Sequence, residues 1–166
     1  MFLKVDDWEF DIDMTATMEY SAREAEDHCD CAYCRNFYAA IDTQYPNLRS
    51  FLARFGIDPE APGELMPFDR PDGMCYLGEY VVAGKIVKQG RRCLCVDGVY
   101  LSPETDSEIN HSMVCPCFYL SIEEMDLAWV LDEPMDDVVS PANLPSFLKR
   151  MWDKLLGKQP ISQQKS

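Results

Sequence analysis

Residues 28–38 have the sequence HCDCAYCRNFY, which places three cysteines and one histidine within seven positions. The cysteine spacing is C-x-C-x-x-C. The two-residue gap fits a turn or the first turn of a helix, and the one-residue gap fits an extended approach, so the three thiols can reach one small object. From Cys34 onward the apolar residues recur at helical spacing, so this stretch marks a change from strand to helix.

The residues after the cysteines are predicted to form a helical hairpin. Apolar side chains after Cys34 share one face of a helix, and Asp30 is placed to accept the free amides of the first turn as its N-cap. Pro46 suits the first turn of a second helix, which is expected to end at Gly56. Residues 57–73 are rich in proline and acidic residues, so an ordered loop is expected there.

Alternating patterns on both sides of the hairpin predict antiparallel strands. Apolar residues occupy even positions from Trp8 to Tyr20, which predicts one long strand, or two broken near Asp13, before a polar connector at residues 21–27. Asp97-Gly98 predicts a hairpin turn. Further strands are predicted at residues 74–82, 85–88, 91–96, 99–101, 113–122 and 125–131. The last of these also fits a short helix.

Together these patterns predict an α+β fold with a twisted antiparallel sheet of about six strands and the helical hairpin inserted after the first strand. Residues 141–157 carry apolar side chains at helical spacing, which predicts a C-terminal amphipathic helix packed on the sheet. A chain of 166 residues fits one domain, predicted at residues 1–157, and residues 158–166 are expected to form a disordered tail.

The formal net charge of −14 disfavours nucleic acids and anionic membrane surfaces as partners. A basic protein, a cation or a small molecule is compatible with that charge. The simpler interpretation is that the charge only keeps the protein in solution. The N-terminal residues become acidic too early for a signal peptide, and no apolar run is as long as a membrane span. A cytoplasmic location is therefore expected, where the eight cysteines stay reduced and do not form a disulfide framework.

The leading interpretation of residues 28–38 is a zinc site. The thiolates of Cys29, Cys31 and Cys34 would bind the ion, and the positive end of the following helix would stabilise their charge. The side chain of His28 is expected to diverge from its neighbour Cys29. The fourth ligand is expected among six residues: Cys75, Cys93, Cys95, Cys115, Cys117 and His111, the last in a polar loop and expected to be exposed.

Zinc would pin the first helix to the sheet, and the protein would be a non-enzymatic, metal-stabilised binding or interaction protein with an unknown protein or small-molecule partner. An alternative is a thiol redox protein or enzyme, in which Cys31 and Cys34 form a C-x-x-C pair at a helix start. A reversible metal or thiol sensor is a third possibility. The spacing fits neither common ferredoxin pattern, and ordinary buried cysteines are the simplest alternative.

Arg35 places a cation in the first helical turn, where it opposes the helix dipole. The thiolate cluster, Glu64 or another acidic residue is expected to compensate it, unless Arg35 points into water. No arrangement typical of common catalytic motifs is present in the sequence.

Two further cysteine pairs follow an i, i+2 spacing, Cys93 with Cys95 and Cys115 with Cys117. On a strand each pair shares one face, so neighbouring strands would bring four sulfurs together as a second metal site. The alternative is that these cysteines pack as small apolar residues.

Residues 29–37 match the pattern C-x-C-x-Y-C-R-N-F, and residues 46–64 continue with Pro46, FL at 51–52, FGIDP at 55–59 and Glu64. This part of the chain resembles a family of small uncharacterised bacterial proteins. The resemblance implies a small soluble bacterial protein, and His28 is not part of the shared pattern.

Overall fold

The structure is a computed structural model that describes residues 1–27, 29–70, 73–113 and 116–134. These residues form an α+β fold with seven strands and three helices. In chain order the elements are β1 (Phe2–Val5), β2 (Trp8–Ile12), α1 (Met14–Glu26), α2 (Ala32–Gln44), α3 (Leu48–Ala53), β3 (Glu64–Arg70), β4 (Gly73–Lys88), β5 (Leu94–Val96), β6 (Val99–Glu104) and β7 (Cys117–Leu127).

The sheet is antiparallel throughout, as predicted, with the order β1-β2-β4-β7-β6-β5 and with β3 also paired to β4. The central strand is β4, with 16 residues. Its residues 73–79 pair with β3, its residues 84–88 pair with β2, and β7 pairs along residues 74–83. The hairpin turn between β5 and β6 is also confirmed, since Asp97 and Gly98 both have positive φ angles, as a tight primed turn requires.

The predicted long strand at residues 8–20 is wrong after residue 12. Asp13 ends β2 and caps α1, because its side chain accepts a hydrogen bond from the Ala16 amide at 3.1 Å. The predicted connector at residues 21–27 is mostly the second half of this helix. Between β2 and β3 the structure therefore has three helices, α1 to α3, where a hairpin of two was predicted after the first strand. The apolar residues at even positions do not all share a buried face, because Met18 is 58% exposed.

Other strand boundaries also differ from the prediction. The expected loop at 57–73 contains β3, whose Pro67 is tolerated because this strand pairs on one edge only, with β4. The two strands predicted at 74–82 and 85–88 are one, because Gly84 lets β4 continue beside β2. A Cβ atom at Gly84 would lie 2.1 Å from the Asp11 carbonyl oxygen. The two strands predicted at 113–122 and 125–131 are likewise one strand, β7.

Aromatic side chains fill the core between the sheet and the helices. The Phe10 ring of β2 stacks on Phe118 of β7 with centroids 5.2 Å apart and meets the edge of Phe55 at 5.3 Å. Phe37 of α2 packs against Tyr76 of β4 at 5.3 Å, and all five side chains are fully buried. These contacts fix α2 and the segment after α3 on the sheet. The helix predicted at 141–157 and the tail predicted at 158–166 lie outside the described residues.

Candidate metal centre

Cys29, Cys31 and Cys34, called the cysteine corner below, lie at the start of α2. Cys31 is the N-cap residue in an extended conformation, and Cys34 lies in the first turn. The three Sγ atoms are all within 4.8 Å of one another. A tetrahedral ion bound at about 2.3 Å by each sulfur would hold them about 3.8 Å apart, so a small closure of the loop completes three metal bonds. The cysteine corner can therefore hold a metal ion.

The three thiols differ in exposure and in acidity. Cys29 and Cys31 are exposed, whereas Cys34 is buried. Burial acts to raise the pKa of Cys31, but hydrogen bonds from the Cys34 backbone amide and from the neighbouring thiols outweigh it and lower this pKa. The pKa of Cys34 is raised well above its ordinary value by burial and by the other two thiols. Without a metal, Cys31 therefore ionises before Cys34.

The cation of Arg35 is compensated by exposed groups. Its guanidinium donates to the backbone carbonyl of Asp30 and to the carboxylate of Glu133. Glu64, an expected partner, instead lies beside Glu79, and burial followed by that charge raises its pKa. Asp30 was predicted to be the N-cap of α2, but Cys31 occupies that position. The Arg35 guanidinium nevertheless places a positive charge close to the corner, which favours thiolates.

A buried polar network lies behind the corner and fixes α2. Asn36 is fully buried, and its amide nitrogen donates to the Tyr76 hydroxyl at 3.1 Å and to the Ala128 carbonyl at 3.2 Å. Its side-chain oxygen accepts from the Val130 amide at 2.7 Å. The Tyr76 hydroxyl in turn donates to the Tyr33 carbonyl at 2.9 Å. Because these bonds join α2 to β4 and to the segment after β7, the helix is anchored without a metal.

Sequence reasoning did not assign Asn36 and Tyr76 a role. A signal was present, because asparagine is a weak helix former and lies here on the apolar face between Cys34 and Phe37. A polar side chain in that position needs buried partners. The partners come from residues far along the chain, so the sequence alone does not identify them.

The structure places the proposed fourth ligands elsewhere. Among the described residues the group of close ligand atoms consists of Cys29, Cys31 and Cys34. Cys75 is buried on β4, beside Arg70 and Glu124. The Cys117 thiol lies 3.9 Å from Nε2 of His111, which is half-buried rather than exposed. His28 and Cys115 lie outside the described residues.

The second metal site predicted from the two cysteine pairs does not form between the described members of those pairs. The strands are not neighbours, because β6 lies between β5 and β7. The Cys93 thiol contacts the Ser102 hydroxyl and the Glu123 carboxylate, both at 3.3 Å, while Cys95 is exposed on β5. Strand order is set by long-range pairing, which an i, i+2 pattern does not reveal.

No known protein family, curated protein or solved structure matches this chain. Within the described ranges, none of the helices has the length and apolar character needed to cross a membrane.

Proposed function

We propose that this chain is a small zinc-binding protein in which Cys29, Cys31 and Cys34 hold one ion. The observation that carries the proposal is the mutual approach of the three Sγ atoms within 4.8 Å. It is supported by the position of the group at the amino end of a 13-residue helix, where backbone amides stabilise negative charge. The nearby Arg35 guanidinium acts in the same direction.

Zinc suits this donor set better than magnesium, calcium or an iron–sulfur cluster. Thiolates select soft or borderline ions such as zinc and copper(I), whereas magnesium and calcium require oxygen ligands. Common iron–sulfur clusters take four cysteine ligands. Three protein ligands leave one tetrahedral position for water or for a group from a partner.

The ion would link Cys29 and Cys31 to Cys34 on α2 rather than attach α2 to the sheet. Asn36 and Tyr76 already anchor that helix, whereas Cys29 and Cys31 lie in an exposed segment without regular structure. Metal binding would therefore join this segment to the helix and form a fixed surface. We propose that this surface binds a protein or small molecule in the bacterial cytoplasm, as a non-enzymatic interaction site.

A thiol redox function is the second candidate, and the acidities of Cys31 and Cys34 favour it. The exposed Cys31 thiol has a lowered pKa and the buried Cys34 thiol a raised one, as expected for an attacking and a resolving cysteine. The surrounding sheet is antiparallel, so the site lacks the parallel strand–helix unit of thioredoxin-like proteins. A reversible metal or thiol sensor would combine both properties with weaker zinc binding.

Elemental analysis of protein purified without chelator tests the proposal. We expect about one zinc per chain, and we expect thiol-reactive dye to label the corner cysteines only after chelator is added. The variant Cys34→Ser should lose the metal, while the matched control Cys95→Ser, which changes an exposed thiol on β5, should keep it.

Absence of metal in protein reconstituted with zinc, together with rapid labelling of Cys31, would overturn the zinc site and favour the redox function. Zinc that is bound but passes readily to a weak chelator would favour the sensor.

A further inference from the structure

A second group of reactive side chains, called the Cys117 cluster below, consists of Cys117, His111 and Tyr119. The Cys117 Sγ atom lies 3.9 Å from His111 Nε2 and 3.8 Å from the Tyr119 hydroxyl oxygen. The hydroxyl and Nε2 are themselves 2.9 Å apart. A thiol, an imidazole nitrogen and a phenol therefore form a triangle in which protons can pass between all three atoms.

Apolar side chains surround this triangle without sealing it. Tyr119 packs with Tyr20 and Val81, and Ile109 and Met113 cover the same group. Cys117 itself is half-buried, so part of the residue is open to solvent. The surroundings lower the local dielectric constant, which strengthens the interaction between the thiol and the imidazole.

The charges around the cluster restrict what can approach it. Burial, followed by the adjacent Cys117 thiol and the charges of Glu79 and Asp106, raises the pKa of Tyr119 to about 12, so the phenol keeps its proton. Glu24 lies beside Tyr20, and Arg23 lies over the Tyr20 ring at 6.0 Å. Carboxylates therefore outnumber cations around the Cys117 cluster. Together with the net charge of −14, they repel anionic reagents.

The imidazole of His111 is oriented through one nitrogen only. Its Nδ1 atom is buried and has no hydrogen-bond partner among the described residues, whereas Nε2 faces both the phenol and the thiol. Nε2 lies 3.9 Å from the Cys117 sulfur, within reach of the thiol proton, as a base lies beside a nucleophile.

We propose that Cys117 is a nucleophilic cysteine that forms a covalent adduct with a neutral α,β-unsaturated carbonyl compound, with His111 as the base. The thiol proton moves to Nε2, and the sulfur electron pair forms an S–C bond to the β-carbon. The π electrons of the carbon–carbon double bond move to the α-carbon and carbonyl oxygen as an enolate, which then takes the proton back from the imidazolium. The thiol adds across the double bond, and no oxidant or leaving group is required. This inference does not depend on zinc at the cysteine corner.

Competition labelling with N-ethylmaleimide, a neutral compound of this class, tests the proposal on the full-length protein. The rate of adduct formation is followed for each cysteine-containing peptide by mass spectrometry, with exposed Cys95 as the internal reference. We expect Cys117 to react about tenfold faster than Cys95 at neutral pH, and His111→Gln to bring its rate close to that of Cys95. Maleimidoacetate, which carries the same reactive group on an anion, should show a smaller preference for Cys117.

Three outcomes would overturn the proposal: Cys117 labelled no faster than Cys95, a rate unaffected by His111→Gln, or an equal preference for the anionic reagent. Circular dichroism establishes that each variant is folded. If His111→Gln fails to fold, His111→Asn takes its place and should likewise bring the rate close to that of Cys95, while an unchanged rate would contradict the proposal. The comparison of Cys117 with Cys95 in the unmodified chain needs no variant.

Discussion

The cysteine corner and the Cys117 cluster are held in place by different means. The corner takes its three thiols from six consecutive residues, and two of them lie in an exposed segment before α2. In the Cys117 cluster, Tyr119 lies on β7 between its partners Val81 on β4 and Glu104 on β6, so the sheet fixes it on both sides. Residues close in sequence therefore form the first site, whereas pairing between distant strands positions the phenol of the second.

The cysteine corner and the Cys117 cluster also suit different kinds of chemistry. Three thiols within 4.8 Å of one another bind an ion after a small change in their sulfur positions, and the free energy of metal binding then adds to the stability of the folded chain. A nucleophile and its base must instead be held at a fixed distance before the ligand arrives. The two sites should therefore depend on the fold to different degrees.

Alkaline pH should have the largest effect and should disrupt both sites together. Burial raises the pKa of Tyr76, behind the corner, and of Tyr119 to about 12, and it raises those of Tyr20, Tyr38 and Tyr80 further. The unfolded chain loses these protons near pH 10, so the stabilisation is full below about pH 10 and is lost as the pH rises toward 12.

Tyrosinate absorbance and circular dichroism, recorded together during an alkaline titration, measure this effect. We expect one cooperative transition above about pH 10 in which ionisation and unfolding coincide. Gradual ionisation of the tyrosines in a chain that keeps its ellipticity would contradict their burial.

The substitution Asn36→Ala should have the next largest effect and should act on the corner alone. It removes the partner of the Val130 amide and of the Ala128 carbonyl and one of the two partners of the Tyr76 hydroxyl, which should lower the free energy of unfolding by about 2–4 kcal/mol. Zinc affinity should fall, because the helix that carries Cys34 loses its anchor.

Urea unfolding and zinc competition with a chromogenic chelator measure these two effects. The matched control is Asn110→Ala, an exposed asparagine in the loop before β7, which should change stability by less than about 0.5 kcal/mol. The labelling rate of Cys117 in folded Asn36→Ala protein should equal that of the unmodified chain. An equal loss at both sites would mean that they are not independent.

The same contrast explains how much of the molecule the sequence predicts. The helix α2 and the cysteine corner were predicted because their signals are local: a sustained helical period, and three thiols within six residues. The helix α1 was missed because its buried face includes the polar residues Thr17 and Ser21. Thr17 is buried because its hydroxyl donates to the Asp13 carbonyl and accepts from the Ala83 amide, a partner on β4.

The Cys117 cluster was not predicted because strand pairing and a loop conformation assemble it. Residues 102–111 were predicted to form a polar loop with His111 exposed, yet tertiary packing places the His111 ring against Tyr119 at 5.7 Å and Tyr20 at 6.4 Å. Strand order likewise separates Cys93 from Cys117. A sequence pattern predicts the faces of an element, but the neighbours of that element depend on the whole chain.

Removal of zinc should have a smaller and mainly local effect. The core contacts of α2 do not involve the ion, so the apoprotein should keep its far-ultraviolet circular dichroism. At zinc concentrations one hundredfold above the dissociation constant, binding should add about 2.7 kcal/mol to the free energy of unfolding.

Hydrogen exchange measured with and without chelator distinguishes this local role from a global one. Exchange should accelerate most at residues 29–34, and along β7 it should accelerate by no more than the roughly hundredfold that the lost binding free energy predicts. A larger loss of protection throughout the sheet would show that the ion holds the whole fold together, and the contrast between the two sites would be wrong.

The substitution Arg35→Gln should have the smallest effect on stability and a specific effect on the corner. Its ion pair with Glu133 is exposed, with 44% of each side chain accessible, so the free energy of unfolding should change by less than about 1 kcal/mol. The positive charge nevertheless lies close enough to interact with Cys31. Its removal should raise the pKa of that thiol and weaken zinc binding a few-fold at low ionic strength.

Added salt tests whether this effect is electrostatic, because screening should reduce the difference between Arg35→Gln and the unmodified protein. The control Lys85→Gln removes the same charge at an exposed position on β4, so it changes the overall net charge equally. If both variants weaken zinc binding to the same extent, the net charge of the chain governs the affinity. If only Arg35→Gln does so, the affinity depends on a charge placed next to the thiols. The electrostatics of the corner then favour an ion before one binds.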